Sequence, residues 1–322
     1  MRAPEFWNGH DHTARLAMAV LAPIGWAYGA SVAWKRDHAM PHRPKAKVIC
    51  IGNLTAGGSG KTPIAIAFAR ALKERGHNPF ILSRGYGGRA RGPALVDPAR
   101  DTDRDMGDEP LVLAAAAPVI VARDRKAGAL LADASGADAI VMDDGHQNFV
   151  LAKDLSVVVV DAETGFGNGR VLPAGPLRET VEQGLARADA VVLVGPGTPD
   201  LKSFAKPVLR ARLVPVDVLG LKGASAVAFA GIGRPEKFFD TLRALGAELV
   251  EARAFADHHV YTASEIARLK AKARGLRLVT TEKDFVRLTP SERDGVNFLP
   301  VRAAFDDPAA FARLLDSVGF AR

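Results

Sequence analysis

The chain has 322 residues, 48% apolar and 25% charged, with a formal net charge of +7. It is too apolar for a disordered tract and long enough for one large or two modest domains, and its positive charge fits anionic partners (nucleotide, anionic lipid or nucleic acid) without choosing among them. Its single cysteine, Cys50, excludes an internal disulfide and a cysteine-built metal site and suits a reducing cytosol.

The first predicted element is an apolar helix. Leu16–Trp34 is a run of 19 residues without a formal charge. As a helix it spans about 29 Å, just enough to cross a bilayer. It is Ala-rich and carries Pro23, Gly25 and Gly29, while Trp26, Tyr28 and Trp34 suit an interface better than a hydrocarbon centre. Lys35, Arg36, Arg43, Lys45 and Lys47 follow, so residues 1–47 hold seven Lys/Arg against three acids, +4 of the total +7. An interfacial anchor, a spanning helix and a buried soluble helix are the three readings. The apolar-then-basic order favours an anionic leaflet. The Lys/Arg bias puts the main body in the cytoplasm under either membrane reading.

Val48–Ile51 reads as a buried strand, and Ile64–Glu74 as an amphipathic helix with Pro63 near its start. Between them runs Thr55-Ala56-Gly57-Gly58-Ser59-Gly60-Lys61-Thr62. Strand, glycine loop and helix together make the context of a phosphate-binding loop. The glycines let backbone amides turn toward an anion, and the helix dipole adds to the site. Lys61 reaches the β- and γ-phosphates, and the Thr62 hydroxyl ligates Mg²⁺. One position departs from the general pattern, which has Gly where this chain has Thr55. The plainer alternative is a glycine-rich turn with a lysine beside it; the Gly-Lys-Thr ending and the flanking elements argue against that. Ser31-Val32-Ala33 mimics a signal-peptide cleavage site, but export would part the phosphate loop from cytosolic ATP.

Further along, Pro79–Ser83 reads as a strand ending in a basic loop, Arg84-Gly85-Tyr86-Gly87-Gly88-Arg89. Met106-Gly107-Asp108-Glu109-Pro110 opens a short helix, with Asp108 as its expected N-cap. Pro118–Ala122, Ala139–Met142, Leu155–Val160 and Ala190–Val194 are further apolar strands. Alternating strands and helices with continuous apolar runs predict an α/β fold, a parallel sheet flanked by helices like that of P-loop NTPases. The site of such a sheet lies beyond the carboxyl ends of its strands, here Gly57–Thr62, Arg84, Asp143 and Asp144, with Asp161 as a further candidate. The Pro/Gly-rich stretch Gly195–Pro207 marks an expected boundary. Beyond it Ala226–Ala230 and Leu278–Thr281 read as strands, and helices fall near Lys237–Leu245, Ala263–Ala273 and Pro308–Leu315. The expected division is an N-terminal segment (1–46), a nucleotide-binding domain (47–205) and a smaller C-terminal α/β lobe (206–322).

Asp143 and Asp144 close a strand about 80 residues after the loop, where a carboxylate holds Mg²⁺ through water; a strand-end cap is the alternative. The adjacent acids Asp108 and Glu109 fit either a helix dipole or a site. Asp108 lies outside the strand-end pair and is freer to face an acceptor. His258 and His259 have no third ligand at helix spacing, which argues against zinc.

The motifs occur in one order: Thr55–Pro63, Ser83-Arg84-Gly85-Tyr86-Gly87, Gly107-Asp108-Glu109-Pro110, Asp143-Asp144-Gly145-His146-Gln147-Asn148 and Leu172–Glu179. Asp257-His258-His259-x-Tyr261 and Thr281-x-Lys283-Asp284 complete the set. The series closely resembles the tetraacyldisaccharide 4′-kinase family, the lipid A 4′-kinases of Gram-negative bacteria, over nearly the whole chain. Thr55 fits that family's own loop. The resemblance implies ATP-dependent phosphorylation of the 4′-hydroxyl of an acylated glucosamine disaccharide, giving lipid IVA, at the cytoplasmic face of the inner membrane. It implies ATP and Mg²⁺, with Thr55, Ala56, Gly57, Gly58, Ser59, Gly60, Lys61 and Thr62 on the nucleotide. It further implies an Asp–His pair matching Asp108 and His258 that activates the hydroxyl. Glu109, Asp143 and Asp144 then lie near the metal with Thr62. A lipid substrate and an anionic membrane surface are the expected partners, with no nucleic acid and no obligate protein partner.

The rival reading is a membrane-associated P-loop ATPase or GTPase acting as a switch or positioning factor. Partitioning ATPases carry a signature Lys where this chain has Ala56, and Thr281-Glu282-Lys283-Asp284 has its Lys one place late for a guanine reader. Nucleic-acid binding is disfavoured by 7% aromatics without basic interleaving.

Overall fold

The computed structural model describes residues 4–7, 9, 11–201 and 204–320; the start of the expected N-terminal segment, residues 1–3, lies outside them. The apolar run becomes α1 (His12–Asp37), longer at both ends than the uncharged stretch. Asp11 caps it by accepting from the Ala14 amide, and Lys35 and Arg36 complement the dipole in its last turn. Only Ala14, Met18, Gly25 and Val32 are buried. Leu16, Val20, Ile24, Trp26 and Trp34 are each more than half exposed. The reading as a buried soluble helix is thereby corrected: one narrow edge touches the body. Gly25 is a contact point, since a β-carbon there would meet the Val171 carbonyl at 2.8 Å.

The next elements are β1 (Lys47–Gly52), α2 (Lys61–Glu74), β2 (Pro79–Ser83) and the two-residue β3 (Ala94–Leu95). Short helices α3 (Asp103–Met106) and α4 (Asp108–Leu113) precede β4 (Val119–Val121), α5 (Arg125–Ala134) and β5 (Ala139–Asp143). They are followed by β6 (Leu155–Asp161), α6 (Val181–Ala186), β7 (Ala190–Val194) and β8 (Val208–Pro215). Alternate residues of β1 serve two cores. Ile49 and Ile51 pack with Ile64, Phe68 and Leu72 of α2, whereas Val48 and Cys50 pack with Ala129 and Ala132 of α5. With both faces covered, the strand has no polar alternation to show.

A second lobe comprises β9 (Ser225–Ala230), α7 (Pro235–Ala244), β10 (Glu248–Ala254), α8 (Ala263–Lys272), β11 (Arg277–Thr281), α9 (Glu282–Val286), α10 (Pro290–Arg293) and β12 (Asn297–Leu299). The chain then returns as β13 (Val301–Phe305) and α11 (Pro308–Asp316). The large sheet has nine strands in the order β13-β8-β7-β6-β1-β5-β2-β4-β3, and a separate sheet runs β10-β9-β11-β12. The large sheet is parallel except at its two edges, β13 on β8 and β3 on β4.

The division expected at residues 205 and 206 does not coincide with the sheets. β8 pairs with β7, and its Leu209 and Ala211 join the large core together with Leu314, Leu315 and Phe320 from the end of the chain. Gly195–Pro207 is a connection inside the large lobe, because Pro and Gly mark turns as readily as linkers. The second sheet is built from residues 225–299 alone. The lobes meet where α4 packs on α9.

Candidate active site

The loop after β1 is shaped by backbone rather than by side chains. Gly57 has φ 126° and Gly60 φ 81°, both in the region that favours glycine. Gly60 immediately precedes α2 and no side chain caps that helix, so its first amides remain available to an anion. Thr62 and Ser59 are buried, and Ser59 Oγ has no partner. Thr55 forms an antiparallel bridge with Leu177, an extended position that requires no glycine. This explains the departure at that residue. The Leu172–Glu179 segment grips the loop from behind. The Ala56 amide donates to the Pro176 carbonyl and the Arg178 amide to the Leu54 carbonyl, both at 2.7 Å. Asn53 Nδ2 adds a bond to the Thr55 carbonyl at 2.7 Å.

The two strand-end carboxylates differ sharply. Asp144, at φ 51°, accepts from Arg178 Nη1 at 2.9 and 3.0 Å and lies 3.6 Å from Lys61 Nζ. Burial works against its charge, but Lys61 and Arg178 hold its carboxyl below the usual range. Asp143 is buried and its Oδ1 has no partner. Burial, followed by the Glu109 and Asp144 carboxylates, pushes its carboxyl well above the usual range. Such a group gains from a nearby cation. Arg125 Nη2, itself buried, donates to the Asp143 carbonyl at 3.1 Å.

Beside them the lobes meet. Asp108 is not the N-cap expected from sequence. Gly107 takes that place at φ 90°, and Asp108 is the first helical residue, its Oδ1 accepting from the Glu109 amide at 2.8 Å. Nor does it stand free. Its Oδ2 accepts from Nε of Arg287 at 3.1 Å and also from Nη2 of that residue. His258 Nδ1 lies 3.4 Å from the same oxygen, so the expected pair does come together across 150 positions of sequence. Burial opposes the Asp108 charge, yet His258, Lys283 and Arg287 hold its carboxyl far below the usual range. The contact with Asp108 in turn raises His258 above its ordinary value. Lys283 Nζ binds Glu109 Oε1 at 2.9 Å. His259 is turned elsewhere, toward Glu265 at 3.2 Å and onto the Phe255 ring.

Several participants carried no role in the sequence reading. Gln147 Nε2 donates to the Asn53 carbonyl and to Glu179 Oε1, both at 2.9 Å, and Glu179 is clamped by Arg187 at 2.7 Å. His146 is fully buried, its Nε2 donating to the Gly184 carbonyl at 2.9 Å and its Nδ1 facing Ser156 Oγ at 3.2 Å. Their place in two ordered motifs was the available signal. Arg287 lay outside every motif. A 760 Å³ groove beside β7 and β8, lined by Leu193, Leu201 and Leu209, contains none of these groups.

The arrangement combines a helix start whose first amides have no side-chain cap, a buried carboxylate with an unpartnered oxygen, and a carboxylate–imidazole pair contributed by two lobes. Comparison with known proteins gives the family. The family model described as LpxK, tetraacyldisaccharide-1-P 4′-kinase, matches residues 17–319. The tetraacyldisaccharide 4′-kinase of Rhodospirillum rubrum is 51% identical, with 98% of this chain and 97% of that protein aligned. That of Dinoroseobacter shibae is 49% identical over 99% and 98%. The crystal structure of LpxK from Aquifex aeolicus in complex with ATP superposes with a TM-score of 0.76 at 26% identity, covering 94% of this chain and 99% of that one. The chain belongs to the tetraacyldisaccharide 4′-kinase family.

Proposed function

We propose that the protein transfers the γ-phosphoryl group of ATP to the 4′-hydroxyl of a tetraacylated glucosamine disaccharide, giving lipid IVA. The loop amides from Gly57 to Thr62 hold the phosphates, with Thr55 and Ala56 tied to the Leu172–Glu179 segment beside them, and Lys61 stabilises charge on the transferring group. The observation that carries the reading is the meeting of Asp108 with His258 beside the carboxylates that face a phosphate loop. A sugar hydroxyl is a weak nucleophile and attacks more readily as it gives up its proton. Asp108 and His258 accept that proton as a unit: the carboxylate, held ionised by its cationic neighbours, orients the imidazole, raises its basicity and shares the proton with it.

The donors present fit Mg²⁺. Asp143 offers a buried, unpartnered oxygen and Thr62 a hydroxyl, both hard ligands. Among the described residues no three His, Cys, Asp or Glu side chains form a metal group by themselves. Thr62 and Asp143 would therefore hold the ion together with phosphate oxygens and water, with Glu109 and Asp144 as its acidic surroundings. Mg²⁺ bound there neutralises charge on the β- and γ-phosphates. The exposed apolar side of α1 and the basic run after it suit the cytoplasmic surface of an anionic inner membrane, where a lipid acceptor lies.

The test is a transfer assay with ATP, Mg²⁺ and a detergent-dispersed tetraacyldisaccharide 1-phosphate. One phosphate should appear on the 4′-oxygen for each ATP consumed. Equal ATP consumption without acceptor would instead mark a switch ATPase.

A further inference from the structure

Arg287 touches both members of the Asp108–His258 pair. Its side chain is only 5% exposed. One edge of the guanidinium is fixed inside the small lobe, where Nη1 donates to the Gly231 carbonyl and to Asp284 Oδ1, each at 3.0 Å. Asp284 is fully buried and is itself held by the Gly231 amide at 3.0 Å, the Tyr261 hydroxyl at 2.9 Å and Thr281 Oγ1 at 2.6 Å. The other edge crosses the lobe junction, with Nε and Nη2 on Asp108 Oδ2 and Nη2 3.1 Å from His258 Nδ1. The Gly231 carbonyl also accepts the His258 amide at 3.1 Å, so one backbone oxygen sets the position of both residues. His258 reaches it at φ 56°, a conformation that non-glycine residues hold only when their surroundings impose it.

A buried ion pair is a weak source of stability, and the Lys283–Glu109 pair already ties the same two helices together. What Arg287 adds is direction, because its planar fork cannot rotate away from one partner without losing the others. We propose that Arg287 is a positioning residue for the transfer, fixing the Asp108 carboxylate against His258 across the lobe junction. The inference rests on the reading of Asp108 and His258 as the proton-accepting pair.

The test is Arg287→Met and Arg287→Lys in the full chain, each also made together with Asp108→Ala. In the otherwise native chain, Arg287→Met should lower kcat by about thirtyfold or more, with KM for ATP changed less than about twofold. Arg287→Lys keeps the charge without the fork and should recover only part of the loss. Beside Asp108→Ala, neither substitution should cost more than about a further twofold, since the group it acts through is gone. If Arg287→Met does not fold, Arg287→Lys and Tyr261→Phe decide the matter. Tyr261→Phe removes one donor from the Asp284 anchor and should lower kcat about threefold, but not beside Asp108→Ala. Equal losses in both backgrounds, or a parallel rise in KM for ATP, would overturn the inference alone. Near-normal turnover of Asp108→Ala by itself would overturn the underlying reading and the inference with it.

Discussion

Lys61 Nζ stands 3.6 Å from Asp144, which Arg178 already holds in a two-oxygen contact. Arg178 therefore keeps Asp144 in place whether or not Lys61 turns to a phosphate. Lys61→Ala should then leave the loop folded while removing a cation from the transferring group. We expect turnover to fall on the order of a thousandfold, measured by phosphate transfer to the acceptor. Near-normal turnover would mean that the loop does not hold the reacting phosphates. His146, next to the same carboxylates in sequence, has a different task. It is sealed in the core, and burial lowers it from its ordinary value to about 3. The unfolded chain takes up this proton below about pH 6.5 and the folded chain resists until about pH 3. Stability linked to His146 is thus present above pH 6.5 and drains as the pH falls, by up to about 1.4 kcal/mol per unit. Denaturant titrations at pH 7 and pH 5 should show wild type losing more stability than His146→Gln over that interval. Parallel losses would remove this account of the residue.

At the scale of elements, the buried strands were legible and the edges were not. β1, β5 and β7 are covered on both faces and read as plain apolar runs. β8 and β10 expose much of their length, with arginines and glutamates among their alternating residues, so the sequence gives no such run there. The phosphate loop was legible because strand, glycines and helix are contiguous. Its bracing by Gln147, Arg178 and Glu179 was visible only as motifs, since each contact bridges about 30 residues or more. Arg287 could not be found, because its partner Asp108 is 179 positions away and its local partner Asp284 ends the motif three residues before it. α1 was legible as an apolar helix, though not to its ends, and its exposure gives its prediction. Removal of residues 1–34 should shift the protein toward the soluble fraction and raise KM for an acceptor embedded in bilayers. Lys35, Arg36, Arg43, Lys45 and Lys47 should still give weak, salt-sensitive binding to anionic vesicles. Identical partitioning of the truncated and full-length chains would rule out the anchor.

For the whole molecule, the division of labour follows the two sheets. The large lobe carries Lys61, Thr62, Asp143, Asp144 and Asp108; the small lobe brings His258, Lys283 and Arg287 to it. The junction of α4 with α9 is where a nucleotide-binding sheet becomes an acceptor-activating enzyme on this account. The most direct test is the turnover of Asp108→Ala, His258→Ala and the double variant, each with its KM for ATP. Asp108→Ala should lower kcat by about a hundredfold or more with little change in KM, and His258→Ala should lower it less. The double variant should be no slower than Asp108→Ala, because the two side chains act as a unit. Independent, multiplicative losses in the double variant, or a large rise in KM for ATP in Asp108→Ala, would contradict the account.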